Sequence, residues 1–242
     1  MNAPNIVSRE EWIAARNELA ELEEAYSSAY HDMVRQRQEL PWVRVSKEYL
    51  FDTPDGRQTL ADLFDGRSQL IVQHFMLGPG WEQGCDGCSF MADHVPGTLP
   101  HLNSHDVTYV LVSRAPLAEI RRFQDRMGWP MTWVSSYGSE FNSDFNASYT
   151  QADIDAGKPL IYNYVESSDP VSEEMEIHGL SSFYRDSDGT VYHCYSTYAR
   201  GGDQMINAHN YLDLTPKGRN EQSTMDWMRL HDSYEVAEPV KS

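Results

Sequence analysis

Cys85 and Cys88, in the stretch WEQGCDGCSF from Trp81 to Phe90, stand three apart just after the apolar run Leu70 to Leu77. The only other cysteine is Cys194. A dithiol that cycles with a disulfide needs one accessible, stabilised thiolate and a second thiol close enough to resolve a mixed disulfide. If Cys85 lies in the first turn of a helix, unpaired backbone N–H groups and the macrodipole lower its pKa, and Cys88 follows one turn later. Gly84 and Gly87 let the backbone bend tightly and let a substrate approach. Asp86, between the thiols, opposes the thiolate. The same pair is otherwise half of a zinc site, for which His193 and Cys194 are the closest further ligand pair.

Other chemistry-bearing residues have plainer readings. Cys194 falls within the strand-like VYHCYSTY, where strict alternation places Tyr192, Cys194 and Ser196 on one face and His193, Tyr195 and Thr197 on the other. His94, His101 and His105, with Asp93 and Asp106, straddle a Pro-Gly break and read as solvated loop residues rather than metal ligands. Tyr137, Phe141, Phe145 and Tyr149 either pack a long Asn/Ser/Asp-rich insertion onto its domain or form a lid.

The elements that must position the pair follow from the hydropathy pattern. Ser8 and Glu11 have the form of a capping box, and Trp12, Ala15, Leu19, Leu22, Tyr26, Ala29, Met33 and Leu40 recur near heptad spacing, which predicts a helix from Ser8 to Leu40, ahead of Pro41. That helix packs on its own domain or pairs with a second protomer. Trp42 to Phe51 reads as a strand, Pro54 to Gly56 as a turn, Thr59 to Phe64 as a short helix and Gln69 to Met76 as a buried strand. Val107 to Val112, a helix from Pro116 to Met127, and Met131 to Ser135 complete a strand and helix alternation that implies a parallel sheet. Phe183 to Arg185 and Val191 to Tyr198 read as a hairpin, and Ser223 with Asp226 as the cap of a last helix carrying Met225, Trp227, Met228 and Leu230.

Composition bounds the partners. Nineteen basic against thirty-seven acidic residues in a chain of 242 give a net charge of −18, which repels nucleic acid and anionic membranes, and 40% hydrophobic residues fill a real core. The start of the chain has no signal-peptide pattern, no window is long and apolar enough to span a membrane, and three cysteines do not make a disulfide framework, so a cytoplasmic protein is expected.

The blocks LPWVRV, LADLFDGRSQLIV, HFM, GCDGCSF, VSRAP, MGW, WVSS, FYRD, YSTYARG and NYLDLTPKGR resemble a thioredoxin-like bacterial family of unknown function (domain of unknown function 899), described as dithiol-disulfide oxidoreductases. The resemblance implies an α/β, thioredoxin-like fold: a central mixed sheet flanked by helices. It divides the chain into an N-terminal helical extension, 1–41, and a thioredoxin-like domain, 42–242, with a large insertion at about 136–178 before the C-terminal hairpin. Cys85 and Cys88 are then the catalytic pair and Trp81, His178 and Arg200 auxiliary or substrate-binding residues, since the loop before the hairpin and the exit of its last strand share the cysteine end of such a sheet. Two features depart from thioredoxins: Trp81 stands four residues before the first cysteine, and Glu176 to Leu180 lacks the proline that aligns a bound peptide. The expected activity is thiol-disulfide exchange on a small or specialised substrate, a small thiol or disulfide, with a cellular reductant and no organic cofactor. Two alternatives stand beside it: a copper or zinc protein (a metallochaperone or copper-dependent thiol oxidase) using Cys85, Cys88 and His178, and a non-catalytic interaction module.

Overall fold

In a computed structural model, residues 5–172 and 175–235 are described. The chain divides at Trp42 into two units. The first is α1 (Arg9–Gln38), begun by the capping box: the Ser8 hydroxyl accepts from the Glu11 amide at 3.2 Å while the Glu11 carboxylate accepts from the Ser8 amide at 2.9 Å. It ends ahead of Pro41, and none of its residues is buried.

The second unit is built on an eight-stranded sheet. In chain order its elements are β1 (Val43–Arg44), β2 (Leu50–Thr53), β3 (Gly56–Thr59), β4 (Gln69–His74), α2 (Asp86–Ala92), α3 (Leu99–Ser104), β5 (Val107–Ser113), α4 (Leu117–Met127), β6 (Thr132–Ser135), α5 (Phe141–Asp144), α6 (Gln151–Asp155), β7 (Leu160–Tyr162), β8 (Val165–Ser167), β9 (Gly179–Arg185), β10 (Val191–Tyr198) and α7 (Asn207–Asp213). The sheet order is β1-β10-β9-β4-β5-β6-β2-β3, while β7 and β8 form a separate hairpin. β4, β5 and β6 run parallel, with Ile71 opposite Tyr109 and Leu111 opposite Trp133, and the β9–β10 hairpin lies antiparallel against β4. This is the thioredoxin-like plan: a mixed sheet with the dithiol helix following a central strand.

Strand alternation sorts the core into two layers. Leu70 and Val72 face Val110, Val112, Phe183, Phe51, Phe64, Phe141 and Phe145. Phe75 and Leu77 join Tyr109, Leu111, Ile120, Phe123, Met127, Trp129, Trp133 and Cys88. The insertion's Phe141 and Phe145 therefore belong to the layer that does not hold Cys88.

Several local expectations are corrected. Trp42 to Phe51 is not one strand: Val43 and Arg44 pair with β10, whereas β2 pairs with β3 and β6 at the other side of the sheet. Lys47, between them, turns aside to Asp144 and Glu140. Thr59 to Phe64 makes only one tight turn, Asp62–Phe64, in which the Thr59 and Asp62 side chains cap one another. The segment from Ser223 to Leu230 forms turns rather than a helix, because Met225 is left-handed at φ 63° and Asp226 accepts from the Gln222 and Ser223 amides. A bulge between His193 and Tyr195 breaks the alternation of β10, so that His193 and Ser196, expected on opposite faces, share a 2.6 Å hydrogen bond. Among the described residues no helix is long and apolar enough to cross a membrane.

Candidate functional site

The dithiol hangs from the end of β4. After Phe75 the chain makes a turn in which the Trp81 amide donates to the Gly78 carbonyl at 3.2 Å, then returns so that the Cys85 amide reaches the Met76 carbonyl at 3.1 Å. Gly84 lets that return lie flat on the core: a methyl group there would collide with the Phe75 ring and sit 2.8 Å from Phe123. Cys85 is the N-cap of α2, and its carbonyl accepts from both the Ser89 amide and hydroxyl at 2.9 Å. Cys88 is inside the core at 1% exposure, with the Met76 amide donating to its sulfur at 3.4 Å. Its carbonyl accepts from buried Gln73 at 3.1 Å, and Gln73 in turn accepts from the Tyr109 hydroxyl at 2.7 Å. Both thiols are free, with Cys85 half-buried.

This placement makes the two thiols unequal. Cys85 is pulled down to about 6, first by the hydrogen bond from the Cys88 thiol and then by the Cys88 and Gly87 amides, which together outweigh its partial burial and the Asp86 charge. Burial pushes Cys88 well above the ordinary thiol range, and the Cys85 sulfur beside it pushes the same way. At neutral pH Cys85 is therefore the thiolate and Cys88 the protonated partner.

Glu176 and Gln73 lie beside the dithiol segment, and hydropathy and spacing do not single them out. A Cβ on Gly78 would lie 3.0 Å from Trp81 Nε1 and 3.4 Å from Glu176 Oε1, which places both side chains at the turn leading into the dithiol. The Glu176 side chain is 1% exposed and bonds Arg114 Nε at 2.6 Å. Burial nevertheless pushes its carboxyl up to about 7, against the pull of Arg114 and Asn142, and its charge acts on Cys88. The insertion fixes it through a bridge between Ser148 and Glu176 and a 2.8 Å bond from the Ile177 amide to Ala147.

The mouth of the site is walled by the segment after α7. A Cβ on Gly87 would lie 3.5 Å from Met225 Cε, 3.6 Å from Met228 Cε and 3.8 Å from Cys85 Sγ. That segment is anchored by Arg126 on Asp232, His231 on Asp93 and Trp227 edge-on to Phe90. The insertion's aromatics do not form this wall: Phe141 and Phe145 stack on His74, and Tyr149 packs with Leu160, Ile177 and Tyr198.

The other expected residues fall as follows. Trp81 is half-buried against the dithiol core. His178 is half-buried near Gly202, held down to about 4 by burial of its ring, with Nδ1 unbonded, and among the described residues no hydrogen bond joins it to either cysteine. Arg200 is 67% exposed and paired with Asp203. Cys194 is raised to about 11 by burial. His94 braces Phe90 and Ala208 through both ring nitrogens, and His105 bonds within its own turn. Among the described residues no three His, Cys, Asp or Glu side chains are grouped to hold a metal ion. On the other layer, His74, Ser181, Ser196 and His193 form a hydrogen-bonded chain of 2.6 to 2.7 Å links.

Known structures similar to the chain include PrxQ of Xylella fastidiosa, 12% identical over 67% of this chain and 88% of that one at a TM-score of 0.39. A secreted Mycobacterium tuberculosis disulfide oxidoreductase homologous to Escherichia coli DsbE is 13% identical over 66% and 92%, at 0.36. The mitochondrial 2-Cys peroxiredoxin of Plasmodium falciparum is 11% identical over 70% and 91%, at 0.42. No curated protein matches the sequence. The family model described as bacterial protein of unknown function (DUF899) matches residues 1–234, and the chain belongs to that family.

Proposed function

We propose that the protein is a thiol-disulfide oxidoreductase of small or specialised substrates, with Cys85 as the exchanging thiol and Cys88 as the resolving one. The observation that carries this reading is the unequal placement of the pair: Cys85 half-buried at the head of α2, and Cys88 sealed in the core under the Met76 amide, which favours the thiolate at the first and the thiol at the second. In the direction of substrate reduction, Cys85 thiolate attacks a substrate disulfide and expels one thiolate. Cys88 then attacks Cys85 Sγ, releasing the second thiol and leaving the Cys85–Cys88 disulfide, which a cellular thiol reductant reopens. A small substrate is favoured by Met225 and Met228 at the mouth and by the absence of a peptide-aligning proline between Glu176 and Leu180.

Brief alkylation at neutral pH followed by mass spectrometry is expected to label Cys85 ahead of Cys88 and Cys194. The dithiol-reduced protein is expected to turn over a small disulfide much faster than insulin. Preferential labelling of Cys194, or insulin reduction at the rate of a thioredoxin, overturns the reading.

A further inference from the structure

Asp86 stands next to the exchanging thiol as the first residue of α2, half-buried, and among the described residues its carboxylate has no hydrogen bond and no ion pair. Its charge falls on the Cys85 sulfur. An acid so placed disfavours the attacking thiolate whatever the substrate, and gives something back only when the incoming disulfide carries positive charge. The surroundings do not neutralise it. Residues 68–113, which carry the turn, the pair and α2, contain no lysine or arginine, and Glu82 in the same loop is exposed and likewise without an ion pair. Of the cations on the neighbouring elements, Arg114 is held by Glu176, Arg126 by Asp232, Arg121 and Arg122 are exposed, and Arg229 folds back on the Asp226 and Met228 carbonyls. The mouth thus combines the methyl groups of Met225 and Met228 with an unbalanced negative charge.

We propose that Asp86 sets the charge of the substrate: the dithiol selects small disulfides that carry an ammonium group near the sulfurs over anionic ones. This rests on the oxidoreductase reading above and names the substrate class for it. When the Cys85 thiolate attacks one sulfur of RS–SR, its electron pair forms the mixed disulfide and the S–S bond breaks, so the negative charge moves to the leaving RS⁻ while that group is still at the mouth. An ammonium beside the leaving sulfur offsets its repulsion from Asp86, and a carboxylate there adds to it. Cys88 then attacks Cys85 Sγ, and its proton leaves with the second thiol. The products are one RS⁻, one RSH and the Cys85–Cys88 disulfide. Asp86 gives and takes no proton in these steps and acts through charge alone.

The test is the rate at which the reduced full-length protein forms its Cys85–Cys88 disulfide with cystamine, 2-hydroxyethyl disulfide or dithiodiglycolate at pH 7, read by thiol trapping and mass spectrometry. Each rate is divided by that of free mercaptoethanol with the same disulfide, which removes the disulfide's own reactivity. Reversing one substrate charge about 7 Å from a single carboxylate is worth about tenfold even at the dielectric of water. The normalised ratio of cystamine to dithiodiglycolate is therefore expected to be about tenfold or more in wild type and to fall by about tenfold in Asp86→Asn. Both rates use the same Cys85 thiolate, so any change in its titration cancels in the ratio. A second measurement needs no variant: raising the salt to about 1 M is expected to compress the wild-type ratio severalfold. A wild-type ratio near one, a ratio that D86N leaves as it was, or, where the variant fails to fold, a ratio that salt does not change overturns the selection by Asp86 and leaves the exchange reaction standing. Failure of all three disulfides to form the Cys85–Cys88 bond instead takes down the oxidoreductase reading.

Discussion

The hydrogen bond from the Cys88 thiol is the largest influence holding the Cys85 sulfur as a thiolate, so removing it is the most direct perturbation of the site. Cys88→Ala deletes that donor while leaving the Gly87 and Cys88 amides of α2 in place. A hydrogen bond to a charged group is worth about 1.5–3 kcal/mol, or roughly one to two pKa units. Cys85 is therefore expected to move from about 6 to roughly 7–8. The sign follows from which form gains: the donor stabilises the thiolate, so its loss favours the thiol. At pH 7 the thiolate fraction is expected to fall from about nine-tenths to between about a half and a tenth, and the iodoacetamide rate at Cys85 by about twofold to tenfold. The assay is the alkylation rate against pH in the reduced protein, with Cys88→Ser as an intermediate because its hydroxyl still donates. A C88A midpoint still at about 6 would show that the helix N–H groups alone hold the thiolate, and the coupling between the sulfurs would be refuted.

Two further outcomes test the frame around the site. Gly84→Ala forces a methyl group against the Phe75 and Phe123 rings, and it is expected to cost about 1–3 kcal/mol in urea unfolding; unchanged stability would mean that the return loop does not lie on the core. The stripe of Trp12, Leu19, Leu22, Tyr26 and Met33 recurs at coiled-coil spacing on a helix none of whose residues is buried, and a second copy of α1 is the occupant that this spacing fits. Light scattering is expected to give a dimer that Leu19→Glu with Leu22→Glu makes monomeric; a monomer at high concentration rules the pairing out.

The legible parts of the fold were those where local pattern and tertiary packing agree. The capping box at Ser8, the buried strand after Arg67, the amphipathic α4 and the hairpin of β9 and β10 each carry their own signal. The misread parts are those where pairing partners lie far away in sequence. Val43 and Leu50 go to different sides of the sheet because β10 and β6 claim them, which no local alternation reveals. Met225 takes a left-handed backbone that helical spacing through Met228 conceals. In the site the cysteines were legible from spacing alone. Glu176 was not, because an acidic residue in an acidic, polar insertion has no distinguishing neighbours until the Ser148 bridge and Arg114 bury it. Arg200, flanked by glycines, looked like a clamp but pairs with Asp203, three residues on along the same turn.

The insertion and the segment after α7 contribute differently to access, and this decides which variant opens the site. Trimming the insertion would remove Phe141, Phe145 and Tyr149 from the core, so the expected result is loss of folding rather than an uncovered dithiol. The methyl groups of Met225 and Met228 are what stand beside Gly87 and Cys85. Met225 is the better target, since it is partly exposed whereas Met228 is packed beneath it with Phe90 and Ile206. Met225→Ala is expected to speed labelling of Cys85 by a bulky maleimide several-fold while leaving the iodoacetamide rate nearly unchanged. The thiolate bonds are untouched, and only the width of the mouth differs. It is also expected to raise insulin reduction relative to a small disulfide, because a folded disulfide must bring its neighbouring backbone past this wall. An unchanged ratio of maleimide to iodoacetamide labelling would show that Met225 does not limit access, and substrate size would then have to be set by the turn carrying Trp81 on the Glu176 side of the pair.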